Sequence, residues 1–252
     1  MAVGIICEYN PFHNGHIYHL NKVKELAKDE PIILVMSGNF TQRGIPSILE
    51  KYDKAKIALD YGVDLVIELP FTYSTQSSDF FAKGSLAILN KLKCNKLIFG
   101  SECDSVEDLI SLANIQLNNK EYQTLVKEEM DKGLNFPTAM SNALKTLGGT
   151  TVSSPNDLLG LSYIKEIISN KYDIEPITIK RTNEYNSKVL EENISSATSI
   201  REALKNNIDV TNVLPKEVLK YINTILYLHK CWCVSWCIEE FLELIIYFKK
   251  CD

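Results

Sequence analysis

At 252 residues the chain can build one sizeable α/β domain, alone or with a smaller appendage, and 45% apolar with 23% charged residues exclude a disordered chain, a collagen or a repeat array. A net charge of −5 argues against DNA and against broad, non-specific nucleic-acid binding, but leaves room for RNA at a local basic patch. The apolar opening Met1 to Cys7 has no basic flank and runs at once into Glu8 and Asn10, so it predicts a buried strand rather than a signal peptide. Scattered Cys7, Cys94 and Cys103 suit free buried thiols, and the cytoplasm is the expected compartment.

The unbroken apolar run 2–7 predicts a strand buried on both faces. Residues 14–27 have helical spacing, with Ile17, Leu20, Val23 and Leu26 on related faces. A second buried strand follows at 32–36, then a helix at 49–61 with Ile57, Ala58 and Tyr61 inward and its lysines outward. A third strand (64–69), a third helix (79–92) and a fourth strand (96–99) running into Gly100 complete the first half. This βαβα order predicts a Rossmann-like, doubly wound parallel sheet with right-handed crossovers.

Residues 106–147 read as helices, a helical insertion over about 105–150. Another helix is expected at 155–169, capped by Ser154 or Ser153 with Pro155 in its first turn. A fifth strand (174–179) and two helices (195–206 and 216–229) follow. The expected division is an α/β domain over 1–205 and a helical C-terminal segment, truncated or altered, over 206–252. In that segment Cys231, Cys233, Cys237 and Cys251 lack the two separated ligand pairs usual for zinc, so no metal is assigned. The stretch 238–248, broken by Glu239, Glu240 and Glu243, is too short and too charged to span a membrane.

The chemistry concentrates at the first strand–turn–helix. After Cys7 come Glu8, Tyr9, Asn10, Pro11, Phe12, His13, Asn14, Gly15 and His16, and the helix continues through Ile17, Tyr18, His19 and Leu20. Pro11 shapes the turn, and Gly15 permits close approach of backbone or ligand. Open parallel sheets bind ligands beyond the carboxyl ends of their strands, and a helix N-terminus offers unpaired N–H groups to phosphate. Two imidazoles there, His13 and His16, can donate to phosphate oxygens and stabilise charge as it builds on an α-phosphate. Most lone histidines are satisfied structural residues, and His19, further along the helix, reads that way. A metal reading of the three is weak, because three-residue steps drift around a helix and no carboxylate completes the set.

His13-Asn14-Gly15-His16 after a first strand resembles the signature of the HIGH-motif nucleotidyltransferase superfamily. The longer string from Glu8 to His16 is similar to the bacterial tRNA(Met) cytidine acetate ligases within it. Three further stretches fit that family: Met36 to Gly44, Ser154 to Gly160, and Ile194 to Arg201. The resemblance runs from about residue 2 to 229.

It implies an ATP-dependent ligase that activates acetate as acetyl-adenylate and acetylates N4 of the wobble cytidine of elongator tRNA(Met). Laid on this chain, it places ATP, with Mg²⁺ accompanying it, on the loop from Cys7 to Leu20, on Gly100, and on Asn156 and Arg181. His13 and His16 would be the catalytic pair. By residue chemistry alone, Asn156 reads more readily as a local helix cap, and Arg181 as a cation at a strand's carboxyl edge. Ser196, Thr198, Ser199 and Arg201 read as a second anion cradle or as ordinary capping. Gln42 and Arg43 are candidates for acetate or the tRNA end, or a solvated loop. Where the family carries Tyr-His-Asp after this arginine, the chain reads Tyr185-Asn186-Ser187. Two other readings stay open: an adenylyltransferase for a cofactor precursor, and a truncated, non-catalytic nucleotide- or RNA-binding protein.

Overall fold

The computed structural model describes residues 1–149, 154–181 and 195–228, with side chains to 222. The alternative cap Ser153, the motif residue Ile194, Tyr185-Asn186-Ser187 and the cysteine-rich tail lie outside the described residues. Five strands form one sheet in the order β3-β2-β1-β4-β5, and every neighbouring pair is parallel. They are β1 (Ala2–Cys7), β2 (Ile32–Ser37), β3 (Leu65–Leu69), β4 (Cys94–Ser101) and β5 (Glu175–Lys180). Chain order reverses direction between β1 and β4, which is the topological switch point of such a sheet.

Period-two alternation divides β1 between two cores. Val3 and Ile5 face a layer made by α1 (Asn14–Ala27), α2 (Lys51–Asp60), α9 (Ala197–Lys205) and α10 (Lys216–Leu228). Ala2 and Ile6 face the opposite layer of α4 (Ser78–Lys91), α5 (Val106–Asn118) and α8 (Pro155–Asn170). The helices α6 (Tyr122–Asp131) and α7 (Phe136–Thr146) extend that second core through Tyr122, Val126, Ala139 and Leu144. Gly160 of α8 lets the helix lie against Phe99 of β4, where a Cβ would sit 2.5 Å from the ring. Residues beyond 205 share the first core, through Val210, Val213, Leu214, Val218 and Ile222.

The expected elements form, with local differences. The short helix α3 (Phe71–Ser74), after Pro70, was not anticipated. Helix α2 starts at Lys51 rather than Leu49, because the Asn39 side chain accepts from the Lys51 amide at 2.9 Å. Leu26 is 42% exposed; Ala27 takes the inward position instead. Cys103 is exposed, not buried, while Cys94 is buried, and all three described cysteines are free.

The largest correction concerns Lys54. It was expected outward, yet it is fully buried. Its position, three and four residues before Ile57 and Ala58, sets it on the inward stripe of α2. Its Nζ donates to the carbonyls of Glu8 (3.1 Å), Ser37 (2.9 Å) and Gly38 (2.7 Å), joining the carboxyl ends of β1 and β2. Burial lowers its pKa to about 8, and the Glu8 and Glu68 charges oppose the shift.

Candidate active site

The turn after β1 is held from three sides. Arg201 Nη1 of α9 donates to the Asn10 carbonyl at 2.8 Å, and the Ile48 amide donates to Asn10 Oδ1 at 2.8 Å. The Gln42 amide donates to the Glu8 carboxylate, and Lys54 holds the Glu8 carbonyl. Tyr9 sits at φ 50°, in the left-handed region, where its ring packs on Phe12 at 4.9 Å and on His16 at 4.7 Å between centroids. A non-glycine residue there is uncommon, so these contacts over-determine the turn.

The two motif histidines cap the helix they precede. The Gly15 amide donates to His13 Nδ1 at 3.1 Å, and the His13 amide donates to His16 Nδ1 at 3.2 Å. This reciprocal arrangement satisfies two N–H groups at the head of α1. With both Nδ1 atoms accepting, each neutral ring carries its proton on Nε2. The rings lie 3.8 Å apart. Burial, then Arg181 and Arg201, lowers the His13 pKa to about 3. Burial, then the neighbouring His13, lowers His16 well below the usual range. His19 falls to about 4 by burial and Arg181, and both its ring nitrogens are buried without a partner among the described residues. At neutral pH these rings are therefore uncharged hydrogen-bond donors.

Across the sheet, Glu102 collects three groups, two from the head of α8 and one from the end of β5. Its carboxylate accepts from Asn156 Nδ2 at 2.6 Å and Ser154 Oγ at 2.8 Å, and pairs with Arg181 Nε at 3.3 Å. The Arg181 contact is an ion pair without hydrogen-bond geometry at Nε. Asp157, in the first turn of α8, accepts from Ser101 Oγ (2.6 Å), the Glu102 amide (2.9 Å) and the Cys103 amide (3.1 Å). Ser154 caps the helix, so Asn156 is not its cap: its amide is a tertiary tie. Gly100 leaves room for Arg181, whose Cγ would stand 3.3 Å from an added Cβ. Sequence reasoning missed Glu102 and Asp157. The available signal was an acid directly after a strand–glycine end and another beside a serine cap.

A cavity of about 260 Å³ lies at the carboxyl ends of β1, β4 and β5. It brings together Cys7, Glu8, Tyr9, Asn10, His13, Gly15, His16, Tyr18 and His19 with Gly100, Asn156 and Arg181. Gln42, Arg43, Ser196, Thr198 and Arg201 also line it. Pro11, Phe12, Asn14, Ile17, Leu20 and Ser199 do not. Phe12 and Leu20 belong to the core. Asn14 turns to the chain at 212–213, its amide groups donating to the carbonyls of Asn212 (2.9 Å) and Val213 (3.1 Å). Ser199 is buried beneath the cap of α9, where its amide donates to Ser196 Oγ at 3.1 Å. Arg201 Nη2 also holds Thr198 Oγ1 at 3.1 Å. Among the described residues no group of three His, Cys, Asp or Glu side chains is placed to hold a metal, and no helix is long and apolar enough to cross a membrane.

The site thus sets neutral ring N–H donors and two guanidinium groups around one hollow, while the amides expected free at the head of α1 are spent on His13, His16 and the Val213 carbonyl. The ring donors and guanidinium groups together accept a phosphate chain and stabilise charge developing on it. The sequence pattern of the HIGH Nucleotidyl Transferase family matches residues 1–249. The tRNA(Met) cytidine acetate ligase of Mesomycoplasma hyopneumoniae strain J is 44% identical over 226 residues, 89% of this chain and 70% of the relative. The ligase of the same name from Clostridium novyi is 44% identical over 87% of this chain, which spans 58% of that relative. The crystal structure of Thermotoga maritima TmcAL bound with alpha-thio ATP superposes with a TM-score of 0.80 at 36% identity, over 90% of this chain and 56% of that one. Its apo form gives 0.82.

Proposed function

Because the chain belongs to the tRNA(Met) cytidine acetate ligase family of the HIGH nucleotidyl transferases, we propose that it joins acetate to N4 of the wobble cytidine of elongator tRNA(Met) at the expense of ATP. In the first step an acetate oxygen attacks the α-phosphorus. The bond to the bridging oxygen breaks, pyrophosphate leaves with the electron pair, and acetyl-adenylate forms. In the second, the cytidine amine attacks the acetyl carbon, AMP leaves, and the nitrogen loses a proton. An anticodon-loop base can be splayed out for such an attack.

One observation carries this reading. The neutral imidazoles of His13 and His16 and the head of α1 line the same hollow as Arg181 and Arg201, at the switch point of the sheet. His13 and His16 are assigned the charge building on the α-phosphate, from Nε2–H. Gly100, Asn156 and Arg181 are assigned the nucleoside and phosphate side. Ser196, Thr198 and Arg201 are assigned the phosphate chain, and Gln42 and Arg43 the acceptor side. Mg²⁺ enters with ATP as part of the substrate and would neutralise phosphate charge; no protein cage for it is assigned. The cytoplasm, where tRNA is modified, is the proposed compartment. We assign the adenylating unit to residues 1–205, with Val210, Val213, Leu214, Val218 and Ile222 packed into its first core.

The test is pyrophosphate release by the purified chain, expected to require both ATP and acetate and to vanish in His16→Ala. Release at an equal rate without acetate counts against the ligase, as does normal acetylcytidine in tRNA(Met) from cells lacking this gene.

A further inference from the structure

One stripe of α8 runs down into the cavity. Asn156, Leu159 and Tyr163 recur at three- and four-residue spacing, so they share a face, and all three line the hollow. At 1.5 Å per residue, Tyr163 lies about 10 Å deeper along the helix than Asn156. The polar end of the stripe meets Glu102, and the deep end meets Phe99, whose ring centroid is 5.6 Å from that of Tyr163. Ile6 and Phe81 add apolar lining.

Tyr163 is 2% exposed, and its hydroxyl is buried with no partner among the described residues. Leaving such a group unpaired in an apolar setting is costly, whereas an anionic acceptor would satisfy it strongly. Burial, with Cys7 and Glu8 nearby, holds the phenol well above its usual range, so it remains an O–H donor. Cys7, which ends β1 immediately before the phosphate-facing turn, lines the same hollow as Tyr163, so the phenol and the site of attack share one cavity.

We infer that Tyr163 donates its hydroxyl to the carboxylate of a short-chain acid, whose alkyl end lies against Leu159, Phe81 and Phe99. This rests on the adenylate-forming reading above and assigns its acid-specificity determinants. The phenol orients the carboxylate, and Leu159 limits the length of the alkyl chain. Reading the apolar end as an adenine pocket would instead make Tyr163 matter for ATP.

The experiment is carboxylate-dependent ATP–pyrophosphate exchange by the full chain, with formate, acetate, propionate and butyrate. Tyr163→Phe should raise the KM for acetate by about tenfold to a hundredfold, the loss of one hydrogen bond to a charged group, with the KM for ATP and the melting temperature unchanged. Leu159→Ala should raise the kcat/KM ratio of propionate to acetate by about tenfold. An unaltered acetate KM in Tyr163→Phe, a raised ATP KM in its place, or an unaltered acid preference in Leu159→Ala overturns the inference. Absence of acetate-dependent exchange in the unsubstituted chain would sink the ligase reading, and this one with it. Exchange that persists with unaltered variants sinks this one alone.

Discussion

The Glu102 carboxylate stands 3.3 Å from Arg181 Nε, and through it the ends of β4 and β5 and the head of α8 share one charge. The pairing fixes a guanidinium that would otherwise be a mobile side chain at a strand end. Glu102→Gln keeps an acceptor for Asn156 but removes the ion pair; Glu102→Ala removes both. The KM for ATP should rise in both, more in Ala, by about tenfold for one lost charged contact. Equal KM values in wild type and Ala would dissociate Glu102 from the site.

Gly100 is expected to tolerate little. An added Cβ meets the Arg181 stem at 3.3 and 3.5 Å, so the arginine must move aside. Gly100→Val should weaken ATP binding by about tenfold with less than about 1 kcal/mol change in stability, since the clash is with a flexible side chain in an open hollow. Isothermal titration with a non-hydrolysable ATP analogue, beside urea denaturation, separates the two effects.

His16 has two roles that substitution can part. Its Nδ1 caps α1, and its Nε2–H faces substrate in our proposal. Asn reproduces an acceptor near the Nδ1 position without the distal donor. His16→Asn should therefore keep the helix cap, within about 1 kcal/mol of wild-type stability. Exchange activity should nonetheless fall by about a hundredfold to a thousandfold, as for loss of a transition-state donor. Wild-type exchange in His16→Asn would refute the catalytic assignment.

Desolvation of the turn's histidines makes the fold acid-sensitive. His13 titrates at about 3 and His19 at about 4 in the folded chain, against 6.5 for the free side chain, with His16 lowered too. Between pH 6.5 and about 4 the unfolded chain binds more protons, so stability drops as pH falls through that window. Each histidine contributes up to about 1.4 kcal/mol per pH unit. Urea midpoints from pH 7.5 to 5 should decline, and less so in His19→Phe. A flat profile would contradict the neutral-ring description.

Lys54 tests how the two central strand ends are held. Lys54→Met removes the donor to three carbonyls and leaves them unsatisfied in a buried setting. A loss of about 3 kcal/mol is expected, read as a lowered urea midpoint at an unchanged slope. A change below 0.5 kcal/mol would mean that the carbonyls find other partners.

Much of this could be read from the chain before folding. Unbroken apolar runs marked β1 and β2, three- and four-residue spacing marked the helices, and their alternation marked a parallel sheet. The turn from Glu8 to His16 stood out because proline, glycine and histidine met at a strand–helix junction. Lys54 was misplaced because charge was weighted above its place on the inward stripe. Ser199 reads as a cradle hydroxyl or as ordinary capping because the two look alike in sequence, and packing puts it beneath the Ser196 cap.

Local order along the chain determined the elements, their sequence and the identity of the histidine turn, because periodicity and capping act over a few residues. Only the packed sheet decided that Glu102 would gather Asn156 and Arg181, that Lys54 would bind three strand-end carbonyls, and that the Tyr163 hydroxyl would lie at the hollow with no partner among the described residues. Those relationships join residues dozens of positions apart. They exist only once the parallel crossovers bring the carboxyl ends of β1, β4 and β5 to one edge, and burial there sets which groups stay neutral.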